Sequence, residues 1–251
     1  MFNYQREKVG DRGLSANQHG QLSFGSLGFK SESDLAKSRA DFMSKVYTWM
    51  TGGLLLTAGV SWWVMNSELV YAIGQYYWII ALATIGLVFF ISARIEKMSA
   101  TTAMGSFLLY AAVNGLLMGV LVSAFSTAAI TNAFLVTAGS FAALSFYGYT
   151  TKKDLSGIGR FMFIGLVGII IASVVNFFIG SSALDWTITV IGVVVFAGLT
   201  AYDTQRLRDM HDVMKLGKDI ATKSAILGAL ALYLDFINLF IFFLRIFGGR
   251  D

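Results

Sequence analysis

Seven apolar stretches follow one another along the chain after a polar beginning, and short polar connections separate them. Each stretch has roughly the 20 residues that a helix needs to cross the hydrocarbon of a bilayer. None alternates apolar and polar residues as the strands of a membrane barrel do. We therefore expect an all-α, polytopic membrane protein with seven spanning helices. The predicted spans are 43–65, 76–95, 102–124, 130–149, 159–179, 186–205 and 224–246.

Residues 1–40 differ from the rest of the chain because they are polar and show no apolar periodicity. Such a segment buries too little apolar surface to offset the entropy that is lost on ordering. It also lacks the early apolar core of a secretory signal, so we do not expect a signal peptide. We predict two parts, a disordered cytoplasmic tail at 1–40 and a seven-helix transmembrane domain at 41–251.

The composition agrees with a membrane protein, since 56% of the residues are hydrophobic and 14% are aromatic. The net charge of +4 does not predict nucleic-acid binding, because the basic residues lie between apolar stretches and not on one clustered surface. With no cysteine, and with His19 and His211 far apart in polar segments, neither a disulfide nor a histidine metal centre is expected. We expect no cofactor.

The basic residues indicate the orientation in the membrane. Of the 19 basic residues, all but Arg245 and Arg250 lie in or beside the tail or the connections after the second, fourth and sixth stretches. Lysine and arginine accumulate on the cytoplasmic side of a bilayer, so the N-terminus is predicted to be cytoplasmic. Seven spans place the C-terminus outside, whereas a re-entrant last stretch would return it to the cytoplasm. The sequence leaves both arrangements open.

Two acidic residues lie within predicted spans, where a carboxylate is costly and is typical of an ion or proton pathway. Asp203 is at the inner end of the sixth stretch, and Asp235 is in the interior of the seventh. Small and polar residues recur at three- and four-residue spacing along the seventh stretch and form one stripe, which predicts a central helix facing a crevice. The stripe consists of Ser224, Gly228, Ala231, Asp235 and Asn238.

Asn114, Asn176 and Asn238 are further polar residues within apolar stretches, and we expect them to form hydrogen bonds between helices. Gly115 and Gly119, in the segment "NGLLMG", predict a close approach of two helices.

Arg94 is a candidate partner for Asp203. Both lie about 25 to 27 Å from the outer boundary if each residue advances its helix by about 1.5 Å, so an ion pair is allowed. Asp235 lies about 10 Å deeper, and its contact with Asp203 requires helix tilt. The simpler alternatives are an Arg94 side chain that reaches the lipid headgroups, an Asp203 that ends a helix, and a protonated Asp235 in the core.

The segments "GLTAYDTQRLR" and "ALYLDFINLFIFFLRIFG" resemble the Bax inhibitor-1 family (transmembrane Bax-inhibitor motif), and the likeness covers about residues 40–251. For a bacterial-type member the resemblance implies a helix bundle in the inner membrane that acts as a pH-sensitive calcium leak. It also implies that Asp203 and Asp235 are the pH-sensing pair and that Arg94 latches one of them. The two carboxylates, with Asn238 as a further polar group of the pathway, would bind calcium weakly and transiently.

Other functions remain to be weighed against a leak. An intramembrane aspartyl protease is disfavoured, because "LYL" precedes Asp235 in place of a "GLG" pattern and the chain has no proline. A retinal receptor is disfavoured, because the last stretch has no lysine. A proton-coupled transporter and a non-conducting membrane interaction protein stay open. We thus expect no enzyme; the expected partners are the bilayer, calcium and protons, and no protein partner can be named.

Overall fold

The computed structural model describes residues 32–210 and 217–249, and every regular element in these ranges is helical. A 3-10 turn, Ile95–Lys97, follows the third helix. The α-helices of the described ranges are α1 (Glu32–Met65), α2 (Leu69–Gln75), α3 (Tyr77–Arg94), α4 (Ala100–Val122), α5 (Thr127–Thr150), α6 (Ser156–Ile179), α7 (Ser182–Asp209) and α8 (Lys218–Phe247).

Six of these helices, α3 to α8, are long and apolar enough to cross a membrane. The prediction of an all-α, multi-pass membrane protein is therefore confirmed. The count of seven spans is not confirmed, because α1 covers the first predicted span but contains Thr, Gly and Trp residues that lower its hydropathy. The short helix α2 lies in a connection for which no helix was predicted.

The boundary of the predicted tail differs from the observed start of α1. Residues 32–40 are helical and continue without a break into the first predicted span. The remaining tail residues, 1–31, lie outside the described residues. The helix begins earlier than expected because the hydropathy pattern reports where a helix becomes apolar, not where its backbone hydrogen bonds start.

The connections that carry the basic residues meet at one end of the bundle. Gln205 near the end of α7 donates from Nε2 to the carbonyl of Lys153 (2.7 Å) and accepts from the backbone N–H of Leu155 (2.8 Å). Lys223 in the first turns of α8 donates to the carbonyl of Glu96 (3.2 Å). The α3–α4 and α5–α6 connections and the adjoining ends of α7 and α8 thus form a basic end. That this end faces the cytoplasm stays a prediction.

The last membrane helix, α8, is the most buried of the six, which confirms its predicted central position. It packs against α4, α5 and α7. Tyr233 on α8 is fully buried, and its hydroxyl group forms a hydrogen bond with the Thr57 hydroxyl of α1 (2.7 Å) and accepts another from Asn114 Nδ2 of α4 (2.8 Å). This network joins three helices at the centre of the bundle.

Only one of the three intramembrane asparagines behaves as predicted. Asn114 bonds between helices, as described above. Asn238 donates to the carbonyl of Leu234 in its own helix (2.8 Å), and Asn176 accepts from the backbone N–H of Ser181 in the α6–α7 connection (3.0 Å). A side-chain amide can donate to the carbonyl one turn earlier in its own helix, or accept from the backbone of a following turn, without crossing to another helix.

Two glycines let α1 lie directly on α4, as their spacing predicted. A Cβ atom on Gly115 would lie 2.8 Å from Val60 Cβ, and one on Gly119 would lie 2.6 Å from Val64 Cβ. Both distances are shorter than a carbon–carbon contact, so only glycine fits at these positions. The contact brings the backbone of α4 against the side chains of α1, and close backbone approach of this kind is typical of membrane helix pairs.

Gly148→Ala is expected to lower the free energy of unfolding by about 1–3 kcal/mol, because its new Cβ would overlap the carbonyl oxygen of Ala201 where α5 packs on α7. Gly139→Ala is the matched control on the same helix, since nothing lies within 4 Å of its Cβ position. The measurement is the midpoint of thermal unfolding in detergent. Equal midpoints for the two variants would contradict the close α5–α7 contact.

Candidate functional site

Asp203 and Asp235, the two acidic residues predicted to form a site, line one cavity of about 580 Å³ between α6, α7 and α8. We call it the carboxylate cavity. Counting residues along straight helices placed Asp235 well beyond Asp203 in depth, and the structure nevertheless brings both to the same space.

Asp235 is the more enclosed of the pair. Its side chain is 4% exposed, and its Oδ2 atom accepts no hydrogen bond from any described residue. Asp203 is half-buried and borders a second, adjoining cavity as well. A buried carboxylate oxygen without a protein donor is an acceptor available to a proton, a water molecule or a cation.

A guanidinium group that the sequence did not single out lies beside Asp203. Arg206 lines the carboxylate cavity together with Asp203. Its position three residues after Asp203 on a helix is the signal that could have identified it, since such residues are neighbours on one face. Arg160 of α6 also lines this cavity, and both arginines are exposed.

Arg94, the predicted latch, is exposed at the end of α3. Among the residues that the structure describes, no ion pair joins Arg94 to Asp203. Ser92, two residues earlier on α3, does border the adjoining cavity together with Asp203. The end of α3 therefore lies near Asp203, and the latch itself stays a prediction.

The stripe of small residues on α8 faces this adjoining cavity, which has a volume of about 200 Å³. Its walls come from α3, α7 and α8, and they include Asp203 and Arg206. A helix face without bulky side chains leaves such a space beside its neighbours. The members of the stripe that border it are Ser224, Gly228 and Ala231.

Asn238, the last member of the stripe, does not join the two aspartates. It borders a third cavity of about 290 Å³ between α3, α4 and α8. We call this third space the amide cavity, because Asn114 lines it too. The stripe thus faces several successive spaces and not one continuous crevice.

The last turns of α7 hold Asp203 in place through bonds to the α5–α6 connection. Gln205 is buried and forms the two hydrogen bonds described above. Arg208 donates from one guanidinium nitrogen to the carbonyls of Tyr149 (2.8 Å) and Thr151 (3.0 Å) at the end of α5. Gln205 and Arg208 therefore anchor the helix end that carries Asp203 to the neighbouring connection.

The acidic groups limit what the site can bind. Within residues 32–210 and 217–249 there is no group of three or more histidines, aspartates, glutamates or cysteines that could hold a metal ion. The carboxylates of Asp203 and Asp235 are therefore the charged oxygen ligands that the carboxylate cavity offers. Two such ligands suit a cation that keeps most of its water.

Comparisons with known proteins give consistent matches over most of the chain. A family model described as "Inhibitor of apoptosis-promoting Bax1" matches residues 39–251. The inner membrane protein YbhL of Escherichia coli is 49% identical over 215 residues, which are 83% of this chain and 92% of YbhL. An uncharacterized protein of Deinococcus radiodurans is 45% identical over 211 residues, 84% of this chain and 91% of that protein. An uncharacterized protein of Borreliella burgdorferi is 39% identical over 213 residues, 83% and 92% of the two chains.

Proposed function

This chain belongs to the Bax inhibitor-1 family, and we propose that it is a calcium leak channel whose conductance depends on pH through Asp203 and Asp235. It is a multi-pass integral membrane protein. Our proposal places it in the bacterial inner membrane with a cytoplasmic N-terminus, because its relative in Escherichia coli is named an inner membrane protein and its basic residues share one end. No enzymatic activity is part of the proposal.

The observation that carries the proposal is the pair of carboxylates in one cavity within an apolar bundle. Calcium is a hard cation that prefers oxygen ligands, usually six to eight of them. The pair supplies negative charge and a few of these ligands, and water must supply the others. Binding is then weak enough for release, which a conducting site requires.

A dependence on pH follows from competition for the same oxygen atoms. A proton on either carboxylate removes one negative charge from the cavity, while a cationic side chain beside Asp203 favours its ionised form. Arg206 lies there in the structure, and Arg94 is the proposed partner from α3. Protons, calcium and a guanidinium group therefore compete for two carboxylates, and such a competition supports a switch.

The test is calcium flux into liposomes that contain the purified protein and a calcium-sensitive dye, from about pH 5 to 8.5, the range in which coupled carboxylates can titrate. We expect calcium to enter faster than into empty liposomes, at a rate that changes with pH. Flux no greater than in empty liposomes would favour a non-conducting interaction protein. Proton movement in a fixed ratio to calcium would favour a proton-coupled transporter, and either result would overturn the leak.

A further inference from the structure

The amide cavity differs in chemistry from the carboxylate cavity, because its polar side chains are all neutral. Apolar side chains of α3 and α8 complete its walls. Its volume of about 290 Å³ is enough for several water molecules, each of which occupies about 30 Å³ in the liquid. The polar residues that line it are Thr84, Tyr110, Asn114 and Asn238.

Three of these side chains have oxygen atoms that can still accept a hydrogen bond or contact a cation. Asn114 donates from Nδ2 to the Tyr233 hydroxyl, and Asn238 donates from Nδ2 to the Leu234 carbonyl (both 2.8 Å). Thr84 donates to the carbonyl of Ala81 (2.7 Å). Each side chain has used a donor hydrogen on a protein oxygen, and each keeps its own oxygen as an acceptor. A cavity with available acceptors suits water or a hydrated cation.

Leu234 borders both this space and the carboxylate cavity. Among the described residues it is the one that lines both the amide cavity and the carboxylate cavity. The next residue, Asp235, faces the carboxylate cavity, and Asn238 lies one turn further along α8 in the amide cavity. The apolar side chain of Leu234 therefore stands between two polar spaces.

We infer that the amide cavity is a second binding site for a hydrated cation, and that Leu234 is the apolar barrier between it and the carboxylate cavity. Neutral oxygen atoms hold a cation less firmly than carboxylates do, so a cation there is released easily. A constriction lined by apolar groups excludes water and blocks ions until it widens. That the cation is calcium rests on the proposed function, whereas the two separate cavities and the barrier do not.

Substituted cysteines test the inference directly, because the native chain has no cysteine. Ala231→Cys places a thiol beside Asp203, and Asn238→Cys places one in the amide cavity. A charged, membrane-impermeant thiosulfonate reagent is added to either side of sealed vesicles. We expect Ala231→Cys to react from the side of the basic end and Asn238→Cys to react from the opposite side.

Removing the barrier should change only the labelling of Asn238→Cys. In the Asn238→Cys background, Leu234→Ala should let the reagent arrive from the basic end at least about tenfold faster, which corresponds to a barrier lowered by about 1.4 kcal/mol. Leu234→Val is a milder variant in case the alanine variant does not fold. Leu227→Ala is the matched control, a half-buried leucine of α8 that borders the cavity of Ala231 but not the amide cavity.

Three results would overturn the inference: no reaction at either cysteine, reaction of Asn238→Cys from the basic end in the presence of Leu234, or no change in both Leu234 variants. The labelling pattern does not depend on calcium. The expected pattern in a protein without calcium flux would therefore refute the proposed function and leave the barrier standing. Calcium flux with an unchanged labelling pattern in the Leu234 variants would refute the barrier and leave the proposed function standing.

Discussion

Asp235→Asn will lower calcium flux through the reconstituted protein by about tenfold or more at neutral pH, if the lost attraction is at least about 1.4 kcal/mol. The substitution keeps the size of the side chain and removes the ionisable group of a residue that is 4% exposed, so no negative charge can form there. A charge in such an enclosed place acts on a nearby cation with little screening by solvent. Its loss should reduce the entry of calcium into the carboxylate cavity far more than the loss of a surface charge would.

Asp154→Asn is the matched control for this prediction. Asp154 lies outside the membrane helices, in the α5–α6 connection, and its Oδ1 atom accepts from the backbone N–H of Ser156 (2.9 Å). The hydrogen bond with Ser156 lowers the pKa of Asp154, so this residue is ionised at every pH used. Removal of its charge should leave the flux unchanged. An equal loss of flux in both variants, or no loss in Asp235→Asn, would return Asp235 to the role of a structural acid.

Asp203→Asn is expected to flatten the dependence of calcium flux on pH. An ionised Asp203 paired with an arginine should hold the closed state at alkaline pH, and a proton on Asp203 should weaken that pair. Asparagine has the shape of the acid without its charge, so the variant should leak at alkaline pH as the wild type does in milder acid. At still lower pH protons also neutralise the carboxylates that attract calcium, and the wild type can therefore show a maximum at intermediate pH.

Two arginine variants identify the partner of Asp203. Arg94→Ala should raise the leak at alkaline pH if the proposed latch from α3 forms in the membrane. Arg206→Gln removes the guanidinium group that the structure places beside Asp203. A rise of the leak at alkaline pH in the Arg206 variant alone would assign the latch to α7. A pH profile unchanged in Asp203→Asn would contradict the switch altogether. The measurement is calcium flux from about pH 5 to 8.5 for these variants and the wild type.

The membrane helices after the first were predictable because length and apolarity are local properties of the sequence. The start of α1 and the short helix α2 were not, since neither change of structure coincides with a change of hydropathy. The predicted central position of the last helix depended on the stripe of small residues that ends at Asn238. Tyr233, which joins three helices through its hydroxyl group, gave no comparable signal, because a tyrosine in an apolar stretch is equally typical of a membrane interface.

The candidate site was predictable in part, for a related reason. The sequence identifies Asp203 and Asp235 as costly acids within spans, and the structure places both in one cavity. Depth along a straight helix did not predict this shared cavity, because helix tilt is determined by packing between helices. Arg206 shares a helix face with Asp203, so its proximity follows from local spacing. The relation of Arg94 to Asp203 depends on the rotation of α3 against α7, which no local pattern reveals.

The fit of α1 on α4 bears on how the protein is made. Residues of α1 lie against Gly115 and Gly119, where any larger side chain would collide with Val60 or Val64. Helix α1 is also less apolar than the six candidate membrane spans, α3 to α8. Partition into lipid alone therefore favours its insertion less than theirs, and if α1 spans the membrane as predicted, contact with α4 supplies the remainder. Because the ribosome completes α1 before α4, the first helix has to wait at the insertion machinery, or at the membrane surface, until its partner emerges. A substitution at Gly119 would then reduce the yield of inserted protein, in addition to destabilising the assembled bundle.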